Sequence, residues 1–194
     1  MITLYNARMS RSTRVLWLLE ELGADYEVMP VTITRPDGSG GPDPANPHPL
    51  KQVPAIEHDG ALIVESLAIW LYLSDLFPAS GMAPGVGDPR RADYVGWMGL
   101  STAAFEPLFA AARNGALDDR QEAARLFIDR KFANALEHGP YLLGAAFSTV
   151  DLVYASLLRF NPALMTESDA YRDWLARIGA RPALSRAREK DARC

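Results

Sequence analysis

The chain has 194 residues, 48% of them apolar and 23% charged, an ordinary globular composition with enough length to bury a full core without disulfide staples. A net charge of −4 gives no overall attraction to nucleic acid or to an anionic membrane surface. The single cysteine, Cys194, excludes an internal disulfide, a Cys-x-x-Cys redox pair and a cysteine-rich zinc cage, so no metal is expected and a reducing cytosol suits the chain.

The opening MITLYNARMSRS lacks the apolar core of a signal peptide, and no window approaches 18 uninterrupted apolar residues, so a cytoplasmic protein without a membrane span is expected. Ile2 to Tyr5 is an apolar run of strand length. From Ser12 the period changes: Val15, Leu18, Leu19 and Leu22 form the stripe of an amphipathic helix, closed by Gly23. Asp25 to Ile33 reads as a second strand, with Pro30 marking an edge or a bend. A Pro/Gly-rich loop follows from Arg35 to Pro49. Pro54 to His58 and Ala61 to Val64 then form a hairpin about Asp59-Gly60. Leu67 to Phe77 is a helix, apolar nearly all round, and is therefore expected to be buried.

The stretch PASGMAPGVGDP, Pro78 to Pro89, reads as a linker. Beyond it only helices are predicted: Arg90–Ala112, Arg120–Glu137, Phe147–Phe160, Ala170–Ile178 and a last one from Pro182. The fold class is thus α/β followed by all-α, with domains at 1–78 and 90–194 and a linker at 79–89. In AFSTVDL, Ser148 and Asp151 have the spacing of a capping box, and Phe147 and Leu152 that of a hydrophobic staple. The five Lys and Arg residues between Arg181 and Arg193, interrupted by Glu189 and Asp191, read as a solvated tail.

The stretch HPLKQVPAIEHDGALIVES combines two binding features. Val53, placed before Pro54, is pushed toward extended geometry, leaving its N–H and C=O free to pair with an extended peptide. Ser66 stands where the N-cap of the next helix belongs, and the unpaired N–H groups there favour a carboxylate. Glu65 precedes it and suits an ammonium group. An ordinary helix cap is the alternative reading of Glu65-Ser66.

These residues resemble the glutathione transferase family. HPLKQVPAI followed by ES is similar to its Pro, Val-Pro, Glu-Ser pattern; SRSTRVLWLLEELG resembles its first helix; FSTVDL and RPALSRA are similar to segments of its helical domain. The resemblance covers both halves. It implies a homodimer with a thioredoxin-like β-α-β-β-β-α domain that binds glutathione as co-substrate, a helical domain that binds substrate, and a small electrophile between the halves. By the same resemblance, Val53 pairs with the cysteinyl unit, Pro54 is the cis-proline, Gln52 lies near the glycyl end, and Glu65 and Ser66 hold the γ-glutamyl end. Lys51 stands where glycine is common and adds charge at the rim; His48 stands where asparagine is common and reads as a loop residue.

A transferase must stabilise a thiolate, and a hydroxyl at the start of the first helix does so together with the helix dipole. Family layouts that place the active residue six positions before the helix valine fall on Met9, which has no hydroxyl; a Ser-Arg-Ser start gives Ser10. Ser10 is the first choice and Ser12, whose other reading is the helix N-cap, the second. Tyr5 and backbone N–H groups complete the candidates. Trp97, Phe105 and Phe109 suit an apolar substrate pocket or plain core packing. Besides transferase activity, the scaffold suits a glutathione-dependent peroxidase or isomerase, or a non-catalytic binding module.

Overall fold

A computed structural model describes residues 1–115 and 117–194. The chain forms two compact units, Met1–Ser80 together with Arg181–Cys194, and Gly81–Ala180.

The first unit is built on a four-stranded sheet in the order β2-β1-β3-β4, with β1 Ile2–Asn6, β2 Tyr26–Pro30, β3 Ala55–His58 and β4 Ala61–Val64. β1 and β2 are parallel and joined by α1, Ser12–Leu22. β3 lies antiparallel to both β1 and β4. Pro30 ends the edge strand β2, since it has no N–H to donate, and the last ladder bond passes to Val31, whose N–H donates to the Asn6 carbonyl at 2.9 Å. Asp59 and Gly60 both have positive φ, 49° and 81°, the geometry of a tight two-residue hairpin.

α1 buries more than its predicted stripe. Leu16 and Trp17 are covered as well as Val15, Leu18, Leu19 and Leu22, because a second helix, α8 (Pro182–Asp191), packs on it. The sequence reading assigns residues 90–194 to one helical domain; instead the chain returns residues 181–194 to the first unit. The basic segment is no solvated tail. Arg181 pairs with Glu21 at 2.6 Å, and Arg186 and Lys190 both reach Glu20 at 2.6 Å. α2, Ser66–Leu76, also departs from expectation. Its buried residues are Ile69, Trp70, Leu73 and Ser74, while Leu67 and Leu71 are half-buried and Leu76 is exposed.

The second unit holds α3 (Arg91–Leu100), α4 (Glu106–Asn114), α5 (Asp119–His138), α6 (Thr149–Leu158) and α7 (Asp169–Gly179). The predicted continuous helix 90–112 is interrupted by a π-helical turn, Ser101–Phe105. Pro107 has no N–H for the Ala103 carbonyl, so the ladder shifts register ahead of it and Glu106 N–H bonds back to Ser101. The capping box forms. The Asp151 carboxylate accepts from the Ser148 N–H at 3.0 Å and hydroxyl at 2.9 Å, and also from Leu142 N–H and Trp174 Nε1, both at 2.9 Å. Burial pushes its pKa up, and those four donors oppose the shift. Among the described residues no helix is long and apolar enough to cross a membrane.

Candidate functional site

The register of the sheet decides which segments meet. Asn6 lies beside Pro30, Tyr5 beside Ala55, and Ala55 beside Val64. The exit of β1, the entry of β3 and the exit of β4 therefore share one end of the sheet. From that end the chain leads on one side through residues 7–11 into α1, and on the other through Glu65 into α2. Two helix N-termini, each the positive end of a dipole, belong to the same edge; at α1 the N–H groups of Ser12, Thr13 and Arg14 are taken by Ser10 Oγ, the Ser10 carbonyl and the Arg11 carbonyl.

Val53-Pro54 enters β3 at this edge through a cis peptide bond. Val53 is buried against Ala7 and Val31, with Tyr5 and Ile33 packed alongside. Among the described residues its N–H and C=O make no backbone hydrogen bond, so both remain available to a peptide laid along the strand. The approach to it is braced from within. Asn46, fully buried, donates to the Gln52 carbonyl at 2.9 Å and accepts from His48 N–H at 3.0 Å. His48 Nδ1 accepts from Leu50 N–H at 3.0 Å, which makes it the loop residue its sequence suggests. Lys51 sits at φ 52°, the left-handed region that suits glycine. Its ammonium does not stand free at a rim but donates to the Asn46 carbonyl at 2.6 Å. The Gln52 side chain is exposed.

Glu65, rather than Ser66, is the N-cap of α2, and Ser66 is the first helical residue. Glu65 has φ 70° and ψ 123° and makes no side-chain capping bond. A non-glycine residue held there costs about 1–3 kcal/mol and is characteristic of ligand clamps. The Glu65 carbonyl accepts the Ile69 N–H at 3.0 Å, leaving the N–H groups of Ser66, Leu67 and Ala68 at the mouth of the helix. The Glu65 carboxylate is exposed and the Ser66 hydroxyl half-exposed.

At the other helix the two serines divide the work differently from expectation. Ser12 is fully buried. Its hydroxyl accepts from Ala7 N–H at 3.1 Å and lies 3.3 Å from the Ala7 carbonyl and 2.7 Å from Ser10 Oγ. It is neither the helix cap nor open to a ligand. The N-cap position is Arg11, which makes no side-chain capping bond; Ser10, one residue earlier, accepts the Ser12 N–H on its Oγ at 3.2 Å. Ser10 is only partly buried. When Ser12 donates across the shorter contact to Ser10 Oγ, the Ser10 proton is free for an acceptor outside the loop. Tyr5 is committed elsewhere, since its hydroxyl donates to Glu57 at 2.8 Å. Burial and that carboxylate raise its pKa, the opposite of what an ionisable donor needs. The Met9 N–H is committed as well, donating to Asp191 at 3.0 Å.

That last bond identifies residues the sequence reading misses. The Asp191 carboxylate also accepts from Asn6 Nδ2 at 3.0 Å. The available signal is Asn6 itself, a polar residue on the buried side of a strand after Ile2 and Leu4, which calls for a partner. In the helical unit, Trp97 and Phe105 are fully buried in an aromatic core with Phe132, Tyr154 and Trp174. Both pack in that core, and Trp97 also borders a pocket with Arg90, Lys131 and Asn134.

Residues 1–75 match the family model described as glutathione S-transferase, N-terminal domain. Glutathione S-transferase 3 of Schizosaccharomyces pombe is 32% identical over 157 residues, which cover 79% of this chain and 62% of that protein. The chain thus spans less than two thirds of that relative. Maleylacetoacetate isomerase of Mus musculus is 31% identical over 155 residues, covering 75% of this chain and 70% of that one. The crystal structure of a glutathione transferase from Methylococcus capsulatus aligns over 100% of both chains, with a TM-score of 0.77 and 26% identity. The first unit has the thioredoxin-like arrangement of these proteins and the second their helical region. In sequence and in fold, this chain belongs to the glutathione S-transferase family.

Proposed function

We propose that the chain binds reduced glutathione at the shared end of the sheet and activates its thiol for attack on small apolar electrophiles. The observation that supports this best is the register-imposed meeting of three elements: the unpaired Val53 backbone, the mouth of α2 at Glu65-Ser66, and the Ser10 hydroxyl at the start of α1. An extended tripeptide pairs with Val53, with Pro54 shaping the turn and Gln52 reaching the glycyl end. Its γ-glutamyl carboxylate takes the N–H groups and hydroxyl of Ser66, and its ammonium meets Glu65. Ser10 then donates to the sulfur. One charge-assisted hydrogen bond of about 1.5–3 kcal/mol lowers a thiol pKa by one to two units.

The helical unit takes the electrophile, no metal is needed, and the exposed thiol of Cys194 suits a reducing cytosol. Two copies pair through the apolar side of α2 left uncovered in the single chain. The test is ultraviolet titration of the bound thiolate with calorimetry of glutathione binding. The bound thiol should titrate at least about one unit below the free value near 8.5. Ser66→Ala should weaken binding by about 1–3 kcal/mol. Binding without a lowered thiol pKa would make the chain a binding module and end the transferase reading. The mouse isomerase favours a second reading, in which the thiolate adds to an activated double bond and leaves again, regenerating glutathione. Turnover of such a double bond with no net loss of thiol distinguishes the two.

A further inference from the structure

The loop between β1 and α1 is held by a residue 182 positions away. Asp191, in the last turn of α8, uses one carboxylate oxygen on Asn6 Nδ2 and the other on Met9 N–H, each at 3.0 Å. Asp191 is 6% exposed on a helix otherwise rich in exposed charge. Its position is a poor one for its own helix, because a carboxylate at a helix C-terminus opposes the dipole. Met9 is in the left-handed region at φ 54° while its side chain is 76% exposed. No packing of that side chain accounts for the conformation, and the bond from its N–H to Asp191 does. Met9 directly precedes Ser10, so its φ and ψ set the direction in which Ser10 leaves the loop.

We infer that Asp191 is a positioning residue for the Ser10 hydroxyl: by fixing Asn6 and the left-handed Met9, it holds the loop in the arrangement that sets Ser10 Oγ 2.7 Å from Ser12 Oγ and leaves the Ser10 proton for an acceptor outside the loop. This rests on the reading of Ser10 as thiolate donor. The bond has a second effect. With its N–H given to Asp191, Met9 cannot serve as a backbone donor to the sulfur, which leaves the Ser10 hydroxyl and the Ser10 N–H. Asn6 Oδ1 is buried without a hydrogen-bond partner, and the amide stays in place because turning it over would set that oxygen against the Asp191 carboxylate. The donor and acceptor of the pair can still be exchanged. In the double variant Asn6→Asp/Asp191→Asn, the new amide can donate to residue 6 and still accept from Met9 N–H. Asn6→Asp alone sets two carboxylates against each other.

The experiment uses the full chain with reduced glutathione, and its first readout is independent of activity. Hydrogen exchange at the Met9 amide should be protected in the wild type and accelerate about tenfold or more in Asp191→Ala, while the Leu16 and Leu18 amides of α1 stay protected. In the same variant the bound thiol pKa should rise by about one unit and the conjugation rate fall about tenfold, with glutathione affinity changed less than about twofold. The exchanged double variant should recover the rate and the thiol pKa, and Asn6→Asp alone should not. An unprotected Met9 amide in the wild type overturns the clamp whatever the activity. A protected amide with a thiol pKa unmoved in Asp191→Ala overturns the positioning role and leaves the transferase reading intact. A wild type with no lowered thiol pKa removes that reading and this inference together. Should Asp191→Ala not fold, Asn6→Asp and the exchanged pair decide by the same readouts.

Discussion

Two hydroxyls two residues apart at a helix start are equivalent to any argument from spacing, and burial separates them. Ser12 is sealed in, holding the Ala7 N–H; Ser10 keeps part of its surface open. Ser10→Ala should therefore lower the conjugation rate on the order of 10²-fold, the usual loss when one donor to a developing anion is removed, and lose about 1 kcal/mol of stability with its bond to the Ser12 N–H. Ser12→Ala should cost about 1–3 kcal/mol of stability, because a buried N–H is left without an acceptor. Its kinetic effect should be smaller and indirect. Thermal unfolding and steady-state rates on both variants check this; equal rate losses would dissolve the distinction. At this scale the sequence is legible where chemistry is local. Val-Pro and Glu-Ser announce themselves because a proline ring and a helix start constrain their immediate neighbours. The strain at Glu65 and the burial of Ser12 under Ala7, one residue inside the helix whose N-cap is Arg11, are not legible, since each depends on how the whole end of the sheet closes.

Elements are legible in the sequence up to the point where their faces need partners. The period of Val15, Leu18, Leu19 and Leu22 gives α1 its length and Gly23 its end, and both are observed. The period cannot say that the opposite face, with Glu20 and Glu21, receives a helix 160 residues later. Glu20 is the centre of that contact. It accepts from Tyr26 on β2 and from Arg186 and Lys190 on α8, and Lys190 lies 4.5 Å above the Tyr26 ring. Burial alone would raise the Glu20 pKa, but the bonds from Lys190, Tyr26 and Arg186 outweigh it and hold the carboxylate at about 2. A folded pKa below the unfolded one means stability that is present above the ordinary glutamate range and lost as pH falls through it toward 2. Wild-type stability should therefore drop more steeply between about pH 5 and pH 2 than that of Glu20→Gln. At neutral pH the variant should be less stable by about 1–2 kcal/mol, allowing for the exposure of Arg186 and Lys190. Denaturant unfolding across that range checks the sign, and parallel curves for the two proteins would refute it. Asp191 lies one residue beyond Lys190 on the same helix, so the contact that stabilises α8 also delivers the carboxylate to Met9.

At the scale of the whole molecule, the division into an α/β unit and a helical unit follows from the change of period near residue 80, and the return of residues 181–194 does not. What a single chain leaves unfinished is α2. Its sequence is apolar nearly all round, as in a helix covered on every side, yet in one chain only the side bearing Ile69, Trp70 and Leu73 is covered. Ala68 is exposed at the middle of the other side, Leu71 and Tyr72 are half-exposed beside it, and Leu76 is 38% exposed. Leu62 on β4, the far edge strand of the same unit, is 41% exposed. A stable interface needs about 800 Å² from each partner with an apolar centre, and this helix with its neighbouring strand supplies the centre. A second copy is the economical cover, since one patch then answers itself about a twofold axis. Light scattering at micromolar concentration should give twice the 21.3 kDa of the chain. Ala68→Arg places a long charged side chain at the middle of the patch without disturbing the covered side, and it should yield a folded monomer. A 21.3 kDa wild type would refute the pairing outright. A dimer indifferent to Ala68→Arg would move the interface to another surface.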